Sequence, residues 1–374
     1  MKRRTKILLA SCTLILVAAV AIVAFRQQIT SFLMQPTESS VDSGVQNVSS
    51  DAVRVVAKNI STPWSIAVLP DGDLLVTERS GQLQRIGQNG QTFTIDGVRE
   101  TSEGGLLGLA LHPKFAENGW LYLYSTTDES GTLTNRIERY SLRNNQLQDR
   151  MVIVENIPAS SNHDGGALAF GPDRKLYATT GDANLQQQAQ DTSSLAGKLL
   201  RMNDDGSVPT DNPFGNLVWS YGHRNSQGIT WDDDGQMWST EHGPSGSATG
   251  RDELNLIVKG GNYGWPNVTG DETKEGMIAP VAQSGDGDTW APGGIAYHDG
   301  VLYFTGLRGQ SVYTAVIRDD TVQLKRHVTS EYGRLRAATI VGDDLFISTS
   351  NNDGRGSPKA DDDKILRMPV SLFR

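Results

Sequence analysis

The side chains with the most chemical capacity crowd into one stretch, Tyr221 to Pro266, which reads YGHRNSQGITWDDDGQMWSTEHGPSGSATGRDELNLIVKGGNYGWP. A His-Arg-Asn cluster precedes one short strand pair, ITWDDDGQMWSTE, and a Gly-Pro loop and an aromatic turn follow it. Arg224 offers a planar fork suited to a carboxylate or a developing oxyanion, and Asn225 adds an uncharged donor beside it. A surface ion pair would use the same arginine equally well. Gly243 and Pro244 form a turn whose backbone carbonyls suit calcium, a hard cation that takes oxygen ligands. By spacing alone an ordinary turn is the better account of them. Chemistry placed where strands end is the usual arrangement on a rigid scaffold.

Two further groups stand outside that stretch. Asn162-His163-Asp164-Gly165-Gly166 lies just before the strand LAFGP. A histidine there, followed by two glycines, can project into a funnel while the backbone stays close to a ligand. It can also be a turn histidine bonded to a neighbouring carbonyl. Arg308 in GLRGQS and Arg334 and Arg336 in GRLRA accompany late strands, and alternate positions such as 334 and 336 point to one side of an extended chain. Two cations on one side need an anion, and one with several carboxylates would satisfy them. The acidic run Asp361-Asp362-Asp363 reads as a solvated loop.

The elements that must position these residues follow from a repeat. An apolar strand, a tight turn often of Asp-Gly type and a second apolar strand recur from Ser65, Leu109, Ala167, Ile229, Gly294 and Ala338. Third strands follow in several units, among them GQLQRI, GKLLRM and DKILRM. Six units at intervals of about 40–65 residues predict an all-β, six-bladed β-propeller of four-stranded antiparallel blades over residues 52–374. Long helical periodicity is almost absent, so helices should be minor.

Before the repeat, Lys2-Arg3-Arg4-Thr5-Lys6 is basic and Ile7 to Phe25 is almost wholly apolar. Residues 1–34 read as a signal peptide or a signal anchor, with a possible membrane tether through residues 7–25. Leu9-Ala10-Ser11-Cys12 superficially resembles a lipoprotein box, but too little apolar sequence precedes Cys12 and too much follows it. Residues 35–51 are polar and Ser-rich, a flexible tether rather than core. The remainder is then periplasmic or extracellular. Cys12 is the only cysteine, so stability must come from packing or bound metal. A formal net charge of −9 argues against a nucleic-acid partner.

Taken together these motifs resemble the soluble PQQ-dependent aldose and glucose dehydrogenases, the glucose/sorbosone dehydrogenase family of six-bladed propellers. The carrying segments are EGGLLGLALHPKF from Glu103, NHDGGALAFGPDRKLYATTGD from Asn162, GKLLRMNDDGSVPTDNPF from Gly197, YGHRNSQGI, EHGP, DELNLIVKGGNYGWPNV and GRLRA. The resemblance extends from about Ser61 to Met368 and implies PQQ and Ca2+ as cofactors and an aldose as substrate. It implies that His163 is the general base for the anomeric hydroxyl and that Arg224 polarises the accepting quinone carbonyl. Asn225, Arg308, Arg334 and Arg336 match cofactor contacts, Arg308 standing where the family has a lysine. Gln187, in GDANLQQQ, is a looser match that Gln186 or Gln188 could replace. Gly243 and Pro244 match the carbonyls that hold calcium against PQQ, and Glu253, Tyr263 and Asp271 resemble a second, structural calcium site.

Two departures stand out. Glu103 occupies a position where glucose-oxidising relatives carry Gln, and Asn162 replaces an Asp beside the base, which should leave His163 less basic. Shortened insertions favour a monomer of broad aldose specificity, passing electrons to a diffusible or respiratory acceptor. A non-catalytic propeller that binds carbohydrate or a protein partner is the alternative, but it would need neither His163 nor the arginine set. A calcium-dependent lactonase would want carboxylate and Asn side chains converging on a central metal, which the Gly243-Pro244 turn fits poorly.

Overall fold

A computed structural model describes residues 26, 28–37, 39–49, 51–244, 250–318 and 321–374. The apolar stretch 7–25 and Cys12 lie outside the described residues. Six sheets are arranged in chain order around an axis, as the repeat predicts. The first blade holds Pro63–Val68, Leu74–Glu78, Gln82–Ile86 and Gln91–Thr94. The second holds Leu106–Leu111, Trp120–Glu129, Thr132–Arg143 and Gln146–Pro158, and the third Leu168–Phe170, Leu176–Thr180, Lys198–Met202 and Val218–Tyr221. The fourth comprises Ser226–Trp231, Met237–Glu241, Glu253–Ile257 and Ala282–Gln283. The fifth comprises Pro292–His298, Val301–Gly306, Val312–Arg318 and Thr321–His327. Leu335–Val341, Asp344–Thr349 and Ile365–Pro369 make the sixth, whose outer strand, Arg54–Ala57, comes from the start of the propeller. Pairing the two ends of the chain in one sheet closes the ring without leaving a gap between the first and last blades.

Hydroxyls on second strands bind neighbouring blades together. Thr77 Oγ1 donates to Leu107 O at 2.6 Å, Thr240 Oγ1 to Gly293 O at 2.7 Å and Thr305 Oγ1 to Arg336 O at 2.5 Å. In each case a carbonyl of the next blade's inner strand is satisfied where its own sheet cannot reach it. The inner strands approach so closely that a Cβ on Gly108 would lie 2.1 Å from Gly166 O. In five blades the inner strand slips register near its start, between Pro63 and Ser65, Leu106 and Leu109, Ser226 and Gly228, Pro292 and Ile295, and Leu335 and Ala338. Such bulges turn the first residues of a strand away from the ladder and re-aim their side chains. Between the blades the core is apolar, with Tyr122, Leu200, Leu254 and Leu366 fully buried.

Two expectations from composition are corrected. The polar stretch 35–51 is fastened along blade five over its described part. Thr37 Oγ1 donates to Asp288 at 3.0 Å, Ser39 Oγ donates to the same carboxylate, and Asp42–Ser43 pairs in parallel with Lys325 and Arg326. Val45 N donates to His327 Nδ1 at 2.9 Å, while Val41 and Val48 pack on core clusters. The hydroxyls that made this segment look like a tether are what bind it. Residues 28–33, grouped with the leader by composition, form a helical turn at the start of this strap.

The second correction concerns the acidic run. Asp363 is fully buried. Its carboxylate accepts from Thr349 Oγ1 at 3.1 Å and from the amides of Asn351 and Asn352. Its backbone exchanges two hydrogen bonds with Ile60, joining the last blade to the start of the first. Asp363→Ala leaves buried amides unpaired and should cost about 1–3 kcal/mol of stability. Urea unfolding measures this, and an unchanged midpoint would remove Asp363 from the ring closure.

Candidate active site

At the end of the axis where inner strands begin and second strands finish, the loops enclose a cavity of about 360 Å3. Glu103, His163, Arg224 and Arg334 reach it from just before inner strands, and Arg336 from within one. Gly243, Pro244 and Arg308 reach it from just after second strands. Residues from blades two to six thus share one space although up to 233 positions separate Glu103 from Arg336.

His163 is held at both ring nitrogens. Nδ1 lies 2.8 Å from Asp182 Oδ1, and Nε2 lies 2.8 Å from Arg224 Nη2. A guanidinium only donates and a carboxylate only accepts, so Nδ1 carries the proton and Nε2 presents a lone pair. Asp182 is itself fixed by Trp265 Nε1 at 2.8 Å and by the amide of Asn184 at 2.8 Å. Burial works to raise the Asp182 carboxyl, but these donors, His163 foremost, hold it below its ordinary range. The position of Asn162 suggested a base without its carboxylate. Asp182 supplies that carboxylate from the adjoining strand end. Only the strand pairing, in which Thr179 N donates to Ala167 O, brings residue 182 beside residue 163.

Arg224 is fixed from behind. Its amide donates to Glu241, whose carboxylate also takes Ser226 Oγ at 2.9 Å and His223 Nδ1 at 2.8 Å. His223 stacks on Tyr263 with ring centroids 4.6 Å apart. The guanidinium lies over Trp265 at 5.4 Å, so one indole steadies both Arg224 and Asp182. Histidine 242 lines the cavity as well. Its Nε2 donates to Pro292 O at 2.9 Å, and burial pulls its pKa down to about 3.

Positive charge accumulates at the axis. Arg334 is paired with Asp353 at 2.7 Å, whereas among the described residues Arg336 reaches only an amide, Gln227 Oε1, at 2.9 Å. Burial drags the Arg336 guanidinium down to about 9; Asp353 opposes this, and Arg79 and Arg334 add to it. Arg336 Nε and Asn225 Nδ2 are buried donors that lack a partner among the described residues. The other end of Asn225 is used, because Oδ1 accepts Gly165 N at 3.0 Å. Arg336 and Gln227 also line a second cavity, of about 270 Å3, among the inner strands.

Glu103 and Arg355 form an ion pair of 3.0 Å at the cavity wall, and Glu103 also accepts His163 N at 2.9 Å. The Gly243-Pro244 turn is held by Asp252, which accepts Gly243 N and Ala291 N, each at 2.9 Å. Sequence reasoning missed Asp182, Asp252, Trp265, Arg355 and Gln227 as site residues. All of these but Arg355 sit inside segments that carried the resemblance and could have been found there. Arg355 lies in a loop with no such signal.

Not every expected residue joins the cavity. Gln187 is exposed on the short 3-10 helix Gln186–Gln190 and does not line the cavity. Neighbouring Gln188 is turned to Ser194, so neither glutamine points the way the loose match required. The Tyr263 hydroxyl is committed to Leu256 O and Val258 N. Asp271 is exposed. Glu253 accepts from Asn255 and Gly270, and burial together with Glu241 lifts its pKa to about 8. Among the described residues no three His, Cys, Asp or Glu side chains gather as a cation cage.

Residues 60–366 match the family described as Glucose / Sorbosone dehydrogenase. The PQQ-bound aldose sugar dehydrogenase of Streptomyces coelicolor superposes with a TM-score of 0.79 at 39% identity, covering 85% of this chain and 97% of that one. An aldose sugar dehydrogenase of Escherichia coli is 30% identical over 81% of this chain and 91% of its own length. Quinoprotein glucose dehydrogenase B of Acinetobacter calcoaceticus is 35% identical over 60% of this chain and 54% of its own length.

Asp164, next to His163, accepts from Asn135 and Ser160 through Oδ1, while Oδ2 is buried without a partner among the described residues. Burial pushes this carboxyl up to about 7, those donors offset part of the rise and Glu103 adds to it. An acid with a raised folded pKa contributes stability that is complete below its unfolded pKa, ~3.9, and is lost as pH climbs through the folded value. Asp164→Asn mimics the protonated form, so its melting temperature relative to wild type should improve between pH 5 and pH 8.5. A difference that does not move with pH would contradict the raised pKa.

Proposed function

The chain belongs to the glucose/sorbosone dehydrogenase family, and from that premise we propose an exported, PQQ- and calcium-dependent enzyme that oxidises aldoses at the anomeric hydroxyl to lactones. The observation that carries the reading is the Asp182–His163–Arg224 chain opening into a cavity lined by several guanidinium groups. A tricarboxylate quinone fits the donor set. Among the described residues Arg336 has no carboxylate partner of its own, and its Nε is a buried donor without an acceptor, as is Asn225 Nδ2, although Asn225 does not itself line the cavity. Arg308, Arg334 and Arg336 would hold the carboxylates, with Arg224 and Asn225 beside them. When bound, the quinone supplies the acceptor for the hydride that leaves the anomeric carbon.

The protein's own work is proton handling and orientation. Nε2 of His163 takes the hydroxyl proton, and Asp182 stabilises the imidazolium formed, as a buried carboxylate behind a catalytic histidine does. Arg224 Nη2 engages that same lone pair at 2.8 Å, so Arg224 must turn towards negative charge in the cavity before Nε2 can meet the hydroxyl. Glu241 and Trp265 keep it within reach. For calcium, the Gly243 and Pro244 carbonyls beside the cavity would be donors, with Asp252 fixing their turn. The carboxyl of Glu253, pushed upward by burial and Glu241, would be relieved by a second cation. Broad aldose specificity and a monomeric state complete the proposal. A purely binding propeller would have no use for a proton acceptor fixed at both nitrogens.

Protein loaded with PQQ and calcium should reduce a redox dye when aldoses are added, with bleaching of the bound quinone absorbance. No reduction with any aldose at saturating cofactor would overturn the activity. Within active protein, His163→Ala should lower turnover by about 10²–10⁴-fold or more while PQQ stays bound. Asp182→Asn should lower turnover in the same direction and shift the acid limb of the pH profile. Near-normal turnover in both would remove the proposed base.

A further inference from the structure

The strap that precedes the propeller does more than lie on blade five. Residues 28–33 are helical, and the next residue but one begins the fastened segment. Leu33 and Met34 form part of the cavity wall, and Gln35 O accepts from Arg308 Nε at 3.4 Å. Thr37 and Ser39 on Asp288 then pin the chain, so the helix is kept at the lip of the cavity.

The faces of this helix are reversed relative to a helix resting on a protein. Ile29 and Phe32, three apart on one face, are exposed to 44% and 77%, while Thr30 and Ser31 are half-buried. An apolar face turned outward beside a functional opening marks a contact surface. Its occupant follows from the adjoining sequence. Ile7 to Phe25 is almost wholly apolar, of the length needed to cross a bilayer, and it leads within a few residues into this face. Apolar residues that continue from a membrane-spanning length lie in the lipid interface. We propose that the outward face of helix 28–33 docks into a lipid bilayer and thereby turns the cavity mouth towards the membrane. The opposite end of the propeller axis, with the hairpin around Arg174, faces away.

The test reads orientation, since attachment alone could come from the leader. The full chain, with Cys12→Ser to remove its only thiol, is placed in phosphatidylethanolamine/phosphatidylglycerol nanodiscs. A single donor dye is attached through Gln187→Cys, on the cavity end of blade three, or through Arg174→Cys, in the hairpin at its far end. Energy transfer to a headgroup acceptor should be several-fold stronger from 187 than from 174. Ile29→Ser with Phe32→Ser, which leaves the cavity wall untouched, should bring the two signals towards equality. Equal transfer from both sites in the parent chain would overturn the proposal. So would a difference that survives the double substitution, or one that grows with protein concentration, the mark of a second copy covering the face. A chain that fails to associate with the nanodiscs would also overturn it.

Discussion

The site depends on an excess of positive charge enclosed at one end of the propeller axis. Burying a guanidinium is costly unless an anion or a full set of acceptors meets it. Arg334 has Asp353, and Arg79 has Ser102 O and Glu100, but among the described residues Arg336 has only the neutral amide of Gln227. Its partners do not compensate its charge, and its downward-shifted pKa expresses that imbalance. A fold selected for stability alone would place an apolar side chain at this position, since the inner strands already close the ring. The arrangement makes sense when a multiply charged anion completes it.

The ring supplies what such an arrangement requires, which is rigidity at the strand ends. Thr77, Thr240 and Thr305 each bind a second strand to the inner strand of the next blade close to the site. The bulges at the same level turn side chains towards the axis instead of into the sheet. Charge that would otherwise push the loops apart is therefore held by bonds belonging to the fold. Glu241 shows the connection most directly: it ends a second strand and grips Arg224, His223 and Ser226 at once.

Much of this was legible in the sequence, and the parts that were not share a cause. Alternation and turns recurring six times gave the blades, and the Gly-flanked His163 and the Arg224-Asn225 pair stood out because their neighbours left them little structural work. Asp182 ends a segment that carried the resemblance, but residue type and spacing did not tie it to His163, because their contact arises from strand pairing across 19 positions. Gln187 misled for a similar reason: a run of three glutamines fixes no direction, and the 3-10 helix turns that one outward. Composition failed on the strap because serine and threonine mark disorder only when nothing accepts their hydroxyl protons. Asp288 does accept them.

Glu103 shows how the local electrostatics limits what a substituted residue can do. A carboxylate this close to His163 has the look of a second base. Burial alone would raise its pKa and make that role available, but Arg355 and the His163 amide bring the carboxyl down to about 2. One oxygen is spent on the guanidinium and the other on the amide, each at 3.0 Å or less. At any pH where His163 is a competent base, Glu103 is a fixed anion whose remaining lone pairs can only accept. It therefore favours ligands that bring hydroxyl donors to the cavity wall and opposes those that bring a carboxylate there. Under the proposed function, proton abstraction would be left to the imidazole, and the Glu103–Arg355 pair would be among the groups that select the sugar.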